Sequence, residues 1–204
     1  MAQVTMDLVR QLRDLTGAGM MDCKRALEES DGDLEKAITS LREKGIAKAA
    51  KRAGRSTGNG VVESYLHETG GGYPPQAGAL IELNCETDFV AKGEDFRRLA
   101  RELAMQIVAR APRWVSPEEV PPDVLEEERE LLRRKAENEG KPSAVIERMV
   151  AGGLQAFLKE SCLLDQPYIR DEKTSVRELV AESIAKLQEN ITVRRFARFN
   201  IKEA

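Results

Sequence analysis

The spacing of apolar residues along the first 45 positions predicts three short helices. The first helix has an apolar face made of Val4, Leu8, Leu12 and Leu15, and Gly17 follows it as a left-handed cap. The second spans residues 20–29 and carries Met20, Met21, Cys23, Ala26 and Leu27. Asp31 or Asp33 caps the third, which has an apolar face of Leu34, Ala37, Ile38 and Leu41 and ends near Gly45. This pattern predicts a compact three-helix bundle.

A basic segment occupies residues 42–55. Its charged side chains are Arg42, Lys44, Lys48, Lys51, Arg52 and Arg55, with alanines between them. A basic helix of this kind can bind RNA, but no aromatic side chain lies among the charges to stack on bases, which favours a solvated linker helix. Residues 56–60 then interrupt the pattern with Ser, Thr, Asn and two glycines. We therefore predict one domain at residues 1–55 and a second at residues 56–204.

Alternation of apolar and polar residues predicts an antiparallel hairpin and one further strand. Residues 61–67 form the first strand, and the Gly- and Pro-rich residues 68–76 form a loop. The second strand places Ala79, Ile81, Leu83 and Cys85 on one face. Residues 191–199 alternate in the same way. The predicted fold class is α+β, with the N-terminal bundle followed by a helix-rich core that contains a three-stranded antiparallel sheet.

Helical periodicity dominates the rest of the second domain. A long stripe consists of Phe96, Leu99, Ala100, Leu103, Ala104, Ile107, Val108 and Ala111. Further helices are predicted from Pro121-Pro122-Asp123 to about Asn138, from Ser143 onward with a kink at Gly152 and Gly153, and after a Thr174 or Ser175 cap with an apolar stripe from Val176 to Leu187. Residues 163–168 are predicted to be an extended connector.

Residues 87–90, Thr-Asp-Phe-Val, lie where the strand period changes to the helical period. One interpretation makes Thr87 a helix N-cap, Asp88 a first-turn acid and Phe89 a core residue. In the other, Phe89 and Asp88 are presented side by side on a turn, as an apolar wedge and a charge delivered into another protein. The pattern of residues leaves both interpretations open.

Composition and charge narrow the class of protein. The 204 residues carry a formal net charge of −3, which gives no overall attraction to nucleic acid or to an anionic membrane. No apolar stretch is long enough to span a membrane and no secretory signal is visible, so we expect a cytoplasmic protein. Cys23, Cys85 and Cys162 are far apart, without Cys-x-x-Cys spacing, which predicts reduced and buried thiols.

The sequence offers no recognisable catalytic, metal or cofactor site. His67 is the only histidine, and the acidic run at residues 126–130 lacks the Gly-punctuated oxygen ligands of a hard-cation loop. The turn at residues 17–19 follows a helix rather than a strand, so it is not a phosphate-binding loop. We therefore expect no enzyme chemistry, no bound metal and no cofactor.

Two stretches resemble signatures of elongation factor Ts, the bacterial exchange factor for elongation factor Tu. Residues 84–91, Asn-Cys-Glu-Thr-Asp-Phe-Val-Ala, are similar to one signature, and residues 12–27 are closely similar to the N-terminal signature. Residues 138–142 and 189–196 agree more weakly. The signatures occur in the family's order, so the chain resembles a short member of the family with one core module.

The resemblance implies a fold for the bundle and a mechanism for the turn. The bundle would be a ubiquitin-associated-like domain that docks on the nucleotide-binding domain of elongation factor Tu. Candidate docking contacts are Arg13, Met20, Met21 and Lys24, although the two methionines could instead belong to the core. The residues implied to dislocate Mg²⁺ and promote GDP release are Thr87, Asp88, Phe89 and Val90. In this mechanism Phe89 is inserted between helices of the partner and Asp88 hydrogen-bonds in the disturbed region.

The resemblance also bears on assembly. Longer members carry two copies of the core module and this chain has room for one, so we expect a non-covalent homodimer, formed through the sheet region. We expect no direct nucleotide binding, no membrane association and no nucleic acid partner.

Two functions of other classes remain open. An RNA-binding or ribosome-associated protein would use the basic helix at residues 42–55. A ubiquitin-associated-type adaptor would bind through the bundle and use the larger domain as a scaffold.

Overall fold

The computed structural model describes residues 4–68 and 70–202, and over these ranges the predicted α+β fold class is confirmed. The helices are α1 (Met6–Thr16), α2 (Met20–Glu29), α3 (Leu34–Arg52), α4 (Asp88–Lys92), α5 (Glu94–Arg110), α6 (Pro122–Asn138), α7 (Ser143–Ser161) and α8 (Val176–Leu187). The strands are β1 (Asn59–His67), β2 (Ala77–Cys85), β3 (Pro167–Tyr168), β4 (Asp171–Ser175) and β5 (Ile191–Asn200). Short 3₁₀ turns occur at Pro117–Glu119 and Leu163–Asp165.

The described residues form two compact units, each assembled from three segments. The first unit contains the residues up to Glu63 together with Glu82–Arg101 and Arg177–Arg194. The second contains Ser64–Ile81, Glu102–Val176 and the residues from Arg195 onward. The division into domains at residues 1–55 and 56–204 stays a prediction.

In the first unit, α1, α2 and α3 pack around a small apolar core. Its buried members are Val9, Leu12, Cys23, Ala26, Leu27 and Ala37. Gly17 ends α1 at φ 66°, as predicted. Leu15, predicted to lie on the apolar face, is largely exposed. The buried face is centred near Val9 and Leu12, and at about 100° per residue Leu15 points roughly 90° away from that centre.

Helix α3 does not end near Gly45 as predicted but continues to Arg52. Gly45 is buried, and a Cβ atom at this position would lie 3.6 Å from the Cβ of Ala185. Gly45 is therefore a buried position inside a continuous helix that packs against α8, and it is not a C-cap. Asp33 begins the helix as predicted, by accepting a hydrogen bond from the backbone N–H of Lys36 at 3.1 Å.

The three-stranded antiparallel sheet has the order β1-β2-β5. The predicted face of β2 is buried through Ala79, Ile81, Leu83 and Cys85. Leu80 points to the opposite face, where its side chain is exposed. The loop between β1 and β2 contains Gly70, Gly71 and Gly72, all at positive φ.

Helix α5 buries the predicted stripe from Phe96 to Val108. Ala111, predicted as its last member, is exposed and lies outside the helix at φ 48°. Its N–H still bonds to the carbonyl of Ile107 at 3.0 Å. The helix cannot continue through Ala111, because the following Pro112 disfavours helical backbone at the residue before it.

In the second unit, α6 and α7 pair as a helical hairpin. Helix α7 runs from Ser143 to Ser161 without a break, and the kink at Gly152 and Gly153 stays a prediction. A Cβ atom at Gly153 would lie 2.7 Å from both terminal methyl carbons of Leu132 on α6. A side chain at position 153 would therefore displace Leu132, and the glycine lets α6 and α7 approach without that shift.

The connector predicted to be extended at residues 163–168 contains the 3₁₀ turn Leu163–Asp165 before β3 pairs with β4. The buried amide of Gln166 fixes this path. Its nitrogen donates to the carbonyl of Glu160 at 2.6 Å, and its oxygen accepts from the Gln106 amide at 3.0 Å. A buried polar side chain needs such partners, and two helices supply them here.

All three cysteines are free and buried, which confirms their predicted state. Across residues 4–68 and 70–202, no helix has both the length and the apolar character needed to cross a membrane.

Candidate functional site

The residues predicted to act on a partner lie on the turn between β2 and α5. Thr87 is the N-cap of α4, and its hydroxyl accepts from the backbone N–H of Val90 at 3.4 Å. Asp88 and Phe89 are the first two residues of this five-residue helix. We call Thr87 together with α4 the tip.

Phe89 has the most exposed large apolar side chain among the described residues, at 82 %. The interpretation in which Phe89 fills the core of its own protein is therefore wrong. The N-cap role of Thr87 and the first-turn position of Asp88 are confirmed. Gly93 explains the exposure, because its extended backbone at ψ 141° separates α4 from α5 and keeps Phe89 off the buried stripe.

Asp88 is paired with Lys92, one helical turn further along. Their Oδ2 and Nζ atoms are 2.6 Å apart. The Lys92 ammonium lowers the pKa of Asp88 below its ordinary value, so this carboxylate is ionised at neutral pH. The pair is exposed, and such pairs contribute little to stability. Asp88 can therefore exchange Lys92 for a different donor at small cost.

The carboxylate of Glu189 holds the base of the tip. Its Oε2 accepts hydrogen bonds from the backbone N–H groups of Glu86 at 3.1 Å and Thr87 at 3.0 Å. Its Oε1 accepts from the Thr87 hydroxyl at 2.6 Å. Three donors from two consecutive residues thus converge on one side chain.

Glu86 and Asn190 make the reciprocal contact. The Glu86 carboxylate accepts from the backbone N–H of Asn190 at 2.6 Å and pairs with Arg55 at 3.5 Å. The buried amide of Asn190 donates to the carbonyl of Arg55 at 2.8 Å. The turn at residues 86–87 and the turn at residues 189–190 therefore exchange hydrogen bonds in both directions.

Residue spacing indicates no role for Glu189 or Asn190. One signal was present: an acid directly after the C-terminus of a helix is unfavourable next to the helix dipole. Such a residue needs donors from elsewhere, and the sequence could not indicate which. Gln188, between α8 and Glu189, adopts a left-handed φ of 63°, which turns the chain toward the tip residues.

Cys85 forms the buried end of β2 beneath the tip. Its thiol donates to the carbonyl of Thr87 at 3.1 Å. Burial, and next the negative charge of Glu189, raise the pKa of this thiol to about 11. Cys85 is therefore a neutral anchor of the turn and not a reactive thiolate.

The predicted docking residues belong to the same compact unit as the tip. Met21 is 67 % exposed on α2, whereas Met20 packs partly against the bundle core. Arg13 and Lys24 are both exposed, and Lys24 lies 3.7 Å from Glu28. Arg13 and Met20 also line a surface depression of about 360 Å³. Their role as docking contacts stays a prediction.

Most basic side chains of residues 42–55 have acidic or amide partners in the first unit. Arg42 pairs with Glu182 at 2.9 Å, Lys48 with Asp22 at 2.9 Å, Lys44 with Glu29, Arg52 with Gln188 and Arg55 with Glu86. These contacts bind the helix to its own unit, so the segment is more than a solvated linker. Whether it contacts RNA stays a prediction.

In the part of the chain that the structure describes, no group of three or more His, Cys, Asp or Glu side chains is placed to hold a metal ion. The family model for elongation factor Ts matches residues 11–203. The chain belongs to the elongation factor Ts family.

Individual relatives agree with this assignment. The elongation factor Ts of Caldanaerobacter subterraneus subsp. tengcongensis is 57 % identical over 196 residues, which cover 96 % of each chain. That of Carboxydothermus hydrogenoformans is 56 % identical over 200 residues, covering 98 % of this chain and 90 % of the relative. That of Coprothermobacter proteolyticus is 50 % identical, covering 98 % of this chain and 100 % of the relative. Membership makes the chain a translation elongation factor and confirms the resemblance found in the sequence.

Proposed function

We propose that this chain is a guanine-nucleotide exchange factor that accelerates GDP release from elongation factor Tu, without catalytic chemistry or a bound cofactor of its own. Family membership supports the exchange activity and the partner. The observation that carries the mechanism is the exposure of Phe89 on a short helix at the end of a buried strand. A ring in that position is available to another protein.

Exchange needs only a change in the partner's nucleotide site. A GTPase holds GDP through backbone amides, a lysine and a Mg²⁺ ion that bridges phosphate oxygens. Mg²⁺ demands near-octahedral coordination, so a small shift of one supporting segment weakens the site. Because binding is reciprocal, a factor that weakens GDP binding must itself be bound less tightly by the GDP form.

In this mechanism Phe89 is the wedge. Full burial of a phenylalanine contributes roughly 1.5–3 kcal/mol, and almost none of that is used in the free chain. Inserting the ring between helices of elongation factor Tu would bury it, and the free energy of this burial would favour displacement of the segment that supports Mg²⁺. Thr87 and Val90 hold the first turn of the wedge, and Asp88 exchanges its exposed Lys92 partner for a donor in the partner protein.

The bundle supplies docking in this proposal. The domain at residues 1–55 binds the nucleotide-binding domain of elongation factor Tu through Arg13, Met20, Met21 and Lys24. The exposed side chains of Met21 and Lys24 favour this role. The domain at residues 56–204 then presents the wedge. The chain makes no direct contact with the nucleotide.

We also propose that two copies of the chain pair non-covalently through the outer face of the sheet. The exposed side chains of Leu66 and Leu80 support this pairing. Gly78 and Leu80 are alternate residues of β2 and therefore share one face of the sheet. Leu66 lies on the same face, because a Cβ atom at Gly78 would be 2.7 Å from its side chain. Analytical ultracentrifugation should give a dimer that Leu66→Lys dissociates. A wild-type chain that sediments as a monomer at micromolar concentration would contradict the pairing.

The decisive experiment measures release of fluorescent GDP from purified elongation factor Tu with and without the chain. We expect acceleration by the wild type, and a loss of about tenfold or more for Phe89→Ala, equivalent to roughly 1.4 kcal/mol. Tyr73→Ala is the matched control, since Tyr73 is another highly exposed aromatic side chain.

Two outcomes would count against the proposal. Failure of the wild type to accelerate release would remove the exchange function. Full activity of Phe89→Ala would leave exchange standing but remove the wedge.

A further inference from the structure

We propose that Glu189 is a positioning residue for exchange: its carboxylate fixes the orientation of the tip, and thereby of Phe89, before any partner binds. This inference rests on the proposed function for its effect on GDP release. The argument for the positioning itself uses only the contacts of the free chain.

The tip cannot hold its own geometry. Helix α4 has five residues, far fewer than an isolated helix needs to be stable. Phe89, its largest side chain, is 82 % exposed and contributes little packing. Its Asp88–Lys92 pair is exposed and weak. Because α4 is joined to α5 through Gly93 at its end, its direction also needs a constraint at its start, on Glu86 and Thr87.

Glu189 provides that constraint. It receives the backbone N–H groups of Glu86 and Thr87 and the Thr87 hydroxyl, at 3.1, 3.0 and 2.6 Å. Hydrogen bonds to an ionised acceptor are about twice as strong as neutral ones. Two peptide groups that immediately precede α4 are thus held by one side chain from a different part of the chain.

The hydroxyl bond also decides how Thr87 caps the helix. A hydroxyl has one hydrogen to donate and lone pairs to accept with. Because the hydrogen of Thr87 is donated to Glu189, its lone pairs are left to face the N–H of Val90, at 3.4 Å. Glu189 therefore orients the cap that starts the helix carrying Phe89.

The reciprocal bonds keep Glu189 itself in place. Asn190 donates its backbone N–H to Glu86 at 2.6 Å and its side-chain amide to Arg55 at 2.8 Å. Asn190 is buried, so the peptide next to Glu189 has little freedom to move. The carboxylate is consequently presented to the tip from a rigid support, as a positioning group requires.

Glu189→Gln is the first test variant. An amide keeps the size of the side chain but offers one acceptor oxygen and an NH₂ group, which would face at least one of the three donors. Glu182→Gln is the matched control, because it removes a carboxylate of α8 that pairs with Arg42 rather than with the tip.

The first readout is hydrogen exchange of backbone amides in the free chain. We expect the amides of Thr87, Val90 and Ala91 to exchange about tenfold faster in Glu189→Gln, with bundle amides unchanged. Glu182→Gln should leave the tip amides as in the wild type. Unchanged protection of the tip in Glu189→Gln would overturn the inference, whether or not the chain accelerates GDP release.

The second readout is GDP release from elongation factor Tu loaded with fluorescent GDP. For Glu189→Gln we expect the maximal rate constant to fall about tenfold, while the concentration that gives half the maximal rate changes less than twofold. A purely structural defect would instead unfold the protein or weaken both quantities. A wild-type chain without activity would refute the proposed function, and the amide exchange would still decide the positioning.

A variant at Thr87 tests the cap without changing Glu189. Thr87→Val removes the hydroxyl and should lower the maximal rate, and it should add little further loss in combination with Glu189→Gln. Full additivity of the two losses would overturn the claim that Glu189 acts through the cap.

Discussion

Phe89 and Phe96 belong to the same connected stretch of chain and have opposite environments. Phe96 is fully buried at the start of α5, and Phe89 is 82 % exposed on α4. Gly93 separates them with an extended backbone, so the two rings lie on different helices. The difference shows that the position of a helix break, rather than hydrophobicity, decides whether an aromatic ring in this stretch is buried in the fold or left exposed.

The two rings also differ in what holds them. Phe96 is fixed by close packing on all sides, as in any protein interior. Phe89 depends on hydrogen bonds at the base of the tip, chiefly those to Glu189. A substitution at Phe96 would therefore remove apolar contacts from the core, whereas loss of the hydrogen bonds to Glu189 would change the direction in which Phe89 points.

The sharpest test of this comparison truncates both rings. Phe96→Ala should lower the free energy of unfolding by about 3–5 kcal/mol, because it leaves a cavity in the core. Phe89→Ala should change it by about 0.5 kcal/mol or less, because the side chain is exposed. Urea unfolding followed by circular dichroism measures both. Equal losses for the two variants would break the comparison.

A pH series sharpens the contrast between the tip and its buried anchor. Burial raises the pKa of Cys85 from 9.0 to about 11, so the folded state favours the neutral thiol. Its contribution is fully present below pH 9 and is lost as the pH rises through 11, by an amount up to about 2 kcal/mol. Cys85→Ala lacks this group, so its stability should fall less steeply over that range.

Urea unfolding of wild type and Cys85→Ala at several pH values between 8 and 11 checks this expectation. If the free energy of unfolding of the two proteins fell in parallel with pH, burial would not favour the neutral form of the Cys85 thiol.

A third and smaller effect distinguishes docking by the bundle from the action of Phe89 on the partner. Met21, like Phe89, has an exposed apolar side chain, but it lies on the bundle. The double variant Met21→Ala/Lys24→Ala should raise the concentration needed for half-maximal GDP release about fivefold and leave the maximal rate unchanged. Phe89→Ala should show the opposite division. Loss of the maximal rate in the double variant would mean that the bundle residues act on the nucleotide site themselves.

Much of the framework was predictable from residue spacing alone. The three bundle helices, the buried face of β2 and the stripe of α5 follow from periods of 3.6 and 2, which depend only on neighbouring residues. Gly17 and Asp33 ended and began helices as predicted, because caps act over three or four residues. The error at Gly45 arose because this glycine lies inside a helix and packs against α8, and residue spacing does not show a contact with a helix so distant in sequence.

The sequence by itself determined the fold class, the location of the turn at residues 87–90 and the family to which the chain belongs. Only the tertiary structure decided that Phe89 is exposed and that Glu189 holds the base of the tip. The physical reason is range: helix and strand periods are local properties, whereas Glu189 meets Thr87 across about one hundred residues of intervening chain. That contact exists only once the whole first unit has folded.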